Sequence, residues 1–287
     1  MCCKNKQPTL ISVNFNFQHN PMSLSTKIIS LFVLMMMSIT LSAQILSIDK
    51  IDTTAYIKKA KWEGNISAGL EIDKQQQTLY DATNGLDISL QKMKELLILS
   101  CGERFTYNGP QDFLNSGYLH LRWRHSYKEQ LHPESYVQYQ WDSKRGLRHR
   151  FVTGENLRYN FWHLRMWEMT FATGLMYENE TWNYDGVDSS KIPTVHPDVQ
   201  TSVFKSNSYI KLEGKLSENA AIAIAFFWQA KFDDFFQPRT ATNISLDVNI
   251  SKHFSLGLKF ASIYDFKPVV PIANFYYNLS NNLVYKF

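Results

Sequence analysis

Charged and amide side chains recur at a spacing of two along the middle of the chain. Arg122 and Arg124 come first, then Glu134, Gln138, Gln140 and Asp142, then Arg148, Arg150 and Arg158, and further on Glu168, Lys211 and Glu213. Residues two apart project to the same face of a strand, so this spacing gathers opposite charges on one surface. Two kinds of chemistry use such a surface. Facing acids and bases knit a polar interior together, and rings of charge in a bore set up a field that selects ions or solutes. With turns near 128–131, 142–146 and 161–162, antiparallel pairing sets Arg124 against Glu134, Asp142 against Arg148, and Arg158 against Glu168. Directly opposed charges contribute roughly 0.2–1 kcal/mol each. That suffices to fix register and make an interior tolerable, and is too little to drive folding.

The remaining reactive side chains carry weaker signals. Among His120, His125, His132, His149, His163, His196 and His253, none stands at metal-ligand spacing with a second histidine or cysteine on the same face. An acid–base enzyme would use a grouping such as His120 with Glu134, or His196 with Asp185, Asp188 and Asp198. No nucleophile motif accompanies either grouping, so the expectation is a chain without catalysis, metal or cofactor. Residues 179–201 read as the longest exposed loop, with Trp182 and Tyr184 set among Asp185, Asp188, His196 and Asp198, and are the candidate for ligand or cation contact.

The elements that position these residues are strands. After residue 44 no stretch longer than about two turns keeps apolar residues at helical spacing, whereas alternation at period two recurs almost throughout. In "NISLDVNI", Ile244, Leu246, Val248 and Ile250 share one face and the polar residues share the other. About twelve such runs are expected, an even number as in single-chain bacterial outer-membrane barrels. Short turns near 92–94, 128–131, 161–162, 217–219 and 251–253 alternate with longer loops at 73–83, 107–112, 179–201, 233–241 and 265–271, with 142–146 the short exception. Aromatic residues stand at the ends of the apolar face, where a ring is buried while its polar atom stays wet. The fold class expected is an all-β, transmembrane, up-and-down antiparallel barrel. Glu103 and Glu155 fall on its apolar parity, which calls for a bulge or a place at the rim.

Processing and ending agree with this. "KIISLFVLMMMSITLSA", Lys27–Ala43, has the layout of a secretory signal peptide, with Met22 as the expected start and cleavage after Ala43. Residues 44–60 are then a short periplasmic segment and 61–287 a single barrel domain. Removing Lys4, Lys6 and Lys27 from 30 basic and 26 acidic residues leaves 27 against 26, which gives no electrostatic case for nucleic acid. Cys101 alone remains of three cysteines, so no disulfide scaffold forms. At the C-terminus, Leu283, Tyr285 and Phe287 share a face, as expected of a last strand that must close on the first. "NFYYNLSNNLVYKF" resembles the terminal strand of outer-membrane proteins. In those, a final Phe after alternating apolar residues is read by the barrel-assembly machinery, which with outer-membrane lipid completes the expected partners.

The segments "KWEGNISAGLEIDK", "NSGYLHLRWRH", "PESYVQYQWDSKRGLRHRF" and "GENLRYNF", between Trp62 and Phe161, resemble the salt-induced outer-membrane protein family. The resemblance implies an outer-membrane barrel, carries over no catalytic residue, and through its name points to osmolarity. The function expected is a non-enzymatic barrel of the Gram-negative outer membrane with a charged lumen, structural or a narrow solute or ion pore. An outer-membrane enzyme acting on lipid or peptide, or a surface-binding barrel, is the alternative.

Overall fold

The structure is a computed structural model that describes residues 57–74, 78–108, 113–164 and 166–287. The expected start at Met22, the cleavage after Ala43 and most of the segment 44–60 lie outside them. Among the described residues twelve strands follow in chain order: β1 (Ile57–Lys74), β2 (Thr78–Met93), β3 (Glu95–Asn108), β4 (Phe113–His125), β5 (Leu131–Asp142), β6 (Leu147–Leu164), β7 (Trp167–Trp182), β8 (Val199–Lys215), β9 (Ala220–Lys231), β10 (Arg239–Asn249), β11 (Phe254–Asp265) and β12 (Phe275–Lys286). Each pairs antiparallel with its neighbour in sequence, and β12 returns to β1, so the sheet is a closed antiparallel barrel.

Period-two alternation explains the two surfaces. In β5 the side chains alternate between buried and half-buried or exposed over the whole strand. Its even positions carry His132, Glu134, Gln138 and Gln140 inward, and its odd positions carry Leu131, Val137 and Tyr139 outward. On the outer surface Trp62, Trp123, Tyr159 and Tyr285 form a belt toward the end that holds the C-terminus, and Tyr80, Tyr139, Tyr264 and Tyr277 form one toward the other end. Between them lie exposed Leu121, Val137, Leu175, Ile210 and Leu258. We call the C-terminal end lower and the opposite end upper.

Several boundaries differ from the sequence reading. β1 runs to Lys74 and β2 starts at Thr78, so most of 73–83 is strand. β7 continues through Trp182, and β10 and β11 include Arg239 and Asp265, so the ends of three expected loops also belong to the wall. The β6–β7 turn lies between Leu164 and Trp167, not at Phe161–Trp162, and this resets the register: Arg158 stands opposite Ala172 and Glu168 opposite His163. The polar residues at these strand ends have low β-propensity and read as loop unless the neighbouring strand is known.

Two register shifts interrupt β6, one between Leu147 and His149 and one between Asn160 and Trp162. Neither moves Glu155, which stays exposed on the outer face between Ser135 and Leu175. Glu103 also keeps its outward parity and accepts a hydrogen bond from Asn115 Nδ2 at 3.2 Å.

The chain end is part of the wall. Ile66 pairs with Tyr285 and Ala68 with Leu283, and Gly64 and Phe287 exchange backbone hydrogen bonds of 3.2 and 3.0 Å. The Phe287 ring lies over Gly64, where a Cβ would stand 2.4 Å from the ring edge. A larger residue at 64 would lift the terminal ring off the seam.

Candidate functional site: the lumen and its upper cap

The inward faces of β4 to β11 build two ionic clusters joined by a layer of amides. The lower one centres on Glu134, which is buried at the start of β5. Arg124 Nε donates to its Oε2 at 2.6 Å, Arg122 Nη1 and Arg158 Nη1 lie at 3.8 and 4.0 Å, and Tyr209 Oη donates to Oε1 at 2.9 Å from β8. Arg158 in turn donates to Thr170 Oγ1 at 3.0 Å and lies 3.9 Å from Glu168. Arg124 and Glu134 are register partners, as the turn spacing implies. Arg158 and Glu168 approach only on the diagonal.

Above Glu134 the amides take over. Gln138 Oε1 is 3.0 Å from His120 Nδ1, while Arg122 Nε donates to His120 Nε2 at 3.2 Å. Both ring nitrogens of His120 are therefore engaged. Gln138 donates to Gln140, and Arg150 links Gln140 with Gln229 of β9 at 3.2 and 3.1 Å. Asn207 Nδ2 donates to Tyr136 Oη at 2.9 Å, joining β8 to β5.

The upper cluster contains residues that the loop boundaries conceal in the sequence. Glu178 and Glu180 of β7, both buried, meet Arg150, Lys205 and Arg239. Arg239 also donates from Nε to Asp265 Oδ2 at 2.8 Å. Three acids thus face three bases, against two acids and three bases in the lower cluster. On β2 and β3, Arg104 Nε is shared by the two oxygens of Asp81 at 2.7 and 2.9 Å. The available signal was the spacing of Glu178 and Glu180, which continues the inward parity of Glu168. Lys211 and Glu213, two apart on β8, form their own ion pair, and Glu213 lies opposite Glu168.

Arg148 does not join the lumen. The shift between Leu147 and His149 makes it the extra residue of a bulge, turns it outward and leaves its side chain 54% exposed, 2.8 Å from Asp198. Asp142 therefore faces Leu147. Its carboxylate is buried with no hydrogen-bond partner on either oxygen.

Residues expected to form an exposed ligand loop instead split between a cap and its rim. Trp182 is buried with Leu147, Val187, Val270 and Ile272, bringing loop 183–198 against loop 266–274 over the upper mouth. Arg145, on the short 3-10 turn Ser143–Arg145, lies 5.4 Å from the Trp182 ring and 4.6 Å from the Tyr276 ring. Burial pulls its guanidinium and the neighbouring Lys144 ammonium below their ordinary ranges. Tyr184 packs against the cap, and His196 meets its ring edge-on at 5.8 Å. Asp185 accepts from Asn183 and Asp188 from Ser190 Oγ and N, which holds the Asp188 carboxyl below the usual range. Asp198 is engaged by Arg148, so the acids of this loop do not converge on a common point.

The packed side leaves little space. A cavity of about 40 Å³ lies among Gln140, Arg150, Glu180, Trp182 and Arg239, and one of about 20 Å³ lies among Arg122, Tyr136, Asn207 and Gln229. Each has room for water but not for an organic solute. By contrast Glu63, Glu71, Asp87, Asp247 and Lys259, inward on β1, β2, β10 and β11, are only half-buried.

Residues 111–287 match the family described as "Protein of unknown function, DUF481". No curated protein matches the chain. Solved structures similar to it include the translocator domain of the autotransporter NalP from Neisseria meningitidis, at 11% identity and a TM-score of 0.43 over 79% of this chain and 88% of that one. An outer membrane channel from Pseudomonas putida F1 is similar at 10% identity and a TM-score of 0.46 over 84% and 100%. The beta domain of the Bordetella autotransporter BrkA is similar at 10% identity and a TM-score of 0.38 over 79% and 97%.

Proposed function

As this chain belongs to the DUF481 family, a family of unknown function, we propose from its geometry that it is a non-enzymatic outer-membrane barrel with a narrow passage for ions and water. The membrane setting is supported by the outer surface, where an apolar zone lies between two aromatic belts while most of the wall's charges, Glu103, Glu155 and Arg148 excepted, are turned inward. The observation that carries the passage is the asymmetry of the inner face. From β4 to β9 the inward side chains are interlocked, whereas on the arc of β1, β2, β10 and β11 Glu63, Glu71, Asp87, Asp247 and Lys259 stay half-buried beside the buried, ion-paired Asp81 and Asp265. Glu63, Glu71, Asp87 and Asp247 outnumber Lys61 and Lys259 on that arc, so the passage favours cations. The apolar cap over the upper mouth narrows it.

Planar-bilayer recordings across a KCl gradient test the proposal. Small steps with a reversal potential displaced toward that of potassium are expected, and Asp87→Asn combined with Asp247→Asn should move it toward zero. Absence of steps even after residues 183–198 are removed rejects the passage. A role in osmotic stress, implied by the family resemblance, is the physiological side of the same proposal, and unchanged growth of a deletion strain at high salt would count against it.

A further inference from the structure

Between its aromatic belts the outer wall carries a carboxyl group that its own protomer leaves unmet. Glu155 stands on β6 four residues above Tyr159 of the lower belt and four below Phe151, the register partner of Tyr139 in the upper belt. At roughly 3.3 Å per residue each belt is about 13 Å away along the strand, so Glu155 faces the middle of the apolar zone. It is exposed, and among the described residues no side chain pairs with it. Below Arg148 the outward positions of β5 to β8 hold no lysine or arginine. Glu103, also outward, is already met by Asn115.

Hydroxyl groups surround Glu155 instead. Ser135 is its register partner on β5, and Thr173 and Ser208 are register partners on β7 and β8 with their oxygens 2.8 Å apart. One hydroxyl proton serves that bond, which leaves the other free to donate outward. The patch therefore holds an acceptor in need of donors and donors in need of an acceptor. Its side chains are small beside them, which lets a second wall come close. Hydrocarbon supplies neither donor nor water, so a carboxyl group held in it calls for a polar partner from protein. A second copy of this chain meets the need with nothing added. Turned half a revolution about an axis through the exposed Leu175 of β7, it lays its β8 over β6 and its β6 over β8. The two carboxyl groups then lie on opposite sides of the axis, and exposed Leu157 and Phe204 flank the contact.

We propose that the outer faces of β6 to β8 form a two-fold dimer interface within the membrane, Glu155 of each copy accepting from the Thr173 and Ser208 hydroxyl pair of the other. This rests on the membrane setting proposed above but not on ion conduction, so a silent bilayer recording would leave it standing. Two measurements test it, each on protein shown to be folded by its altered gel migration before boiling. In phosphatidylethanolamine and phosphatidylglycerol vesicles, with every native cysteine replaced by serine, oxidation should cross-link Leu175→Cys into a dimer, and Leu121→Cys, exposed on β4, about tenfold less. Equal cross-linking of the two positions, or none at Leu175→Cys, overturns the interface. Sedimentation in detergent micelles should show a dimer whose dissociation constant rises about tenfold in Glu155→Leu, and likewise when Thr173→Val is combined with Ser208→Ala. An unchanged constant, or a complex with a different protein, overturns the assignment. A folded, inserted monomer removes the dimer and leaves the membrane setting intact, whereas solubility without detergent removes both.

Discussion

Glu134 and Arg148 show how differently two charged residues behave on one strand pair. Glu134 is buried among Arg122, Arg124 and Arg158, and no carboxylate replaces it at the centre of that cluster. Removing one partner of a buried ionic group costs far more than the pair contributes, because the remaining charges stay desolvated. Glu134→Gln should therefore lower stability by about 3–5 kcal/mol, seen as an earlier urea midpoint of the folded band in detergent. Arg148 and Asp198 are both largely exposed, and solvent screens their pairing. Arg148→Ala should shift the same midpoint by no more than about 1 kcal/mol. An equal effect of the two changes would mean that Arg148 reaches the lumen after all.

Elements meet under tighter constraints than their residue patterns disclose. On β7 the hydrogen in place of a side chain at Gly174 faces Glu155 O, which a Cβ would approach to 1.9 Å, so Gly174→Ala requires backbone of β6 to move. The expected result is loss of the β6–β7 pairing at that level, read as increased amide exchange confined to these two strands. The cap is a second such junction, because Trp182 ends β7 yet packs against Val270 and Ile272 from the β11–β12 loop. Trp182→Ala should cost about 3–5 kcal/mol. It should also raise conductance above that of the parent protein, since the cap narrows the upper mouth. The strands themselves were legible from their period, whereas Glu178, Glu180, Arg239 and Asp265 were hidden at strand ends. There polar residues satisfy a turn and a wall equally well until the partner strand is known.

At the scale of the molecule, closure decides which surface meets which solvent. A barrel whose apolar side chains face outward should enter solution only with detergent. It should also migrate differently on a gel before and after boiling, since the closed sheet resists the detergent that coats an unfolded chain. Identical migration, or solubility without detergent, would remove the membrane setting. The lumen is then a consequence of size, because a barrel of twelve strands is wider than one its side chains fill completely and narrower than an open porin. Large charged residues interlock over much of the inner face, while Glu63, Asp87, Asp247 and Lys259 stay half-buried.

The amino-acid sequence by itself pointed to about twelve strands and to the sign of most of each face, because the direction of a side chain in a strand follows from local backbone geometry. It also determined that Arg124 meets Glu134, since a short turn propagates register along one hairpin. Only the tertiary structure decided that Arg148 turns outward at a bulge, that Tyr209 reaches Glu134, that two loops cap the mouth and that Asn65–Ala68 close the sheet on Leu283–Lys286. Each of these depends on groups distant along the chain, brought together when the sheet closes. A single extra residue in one strand is enough to change which charges meet.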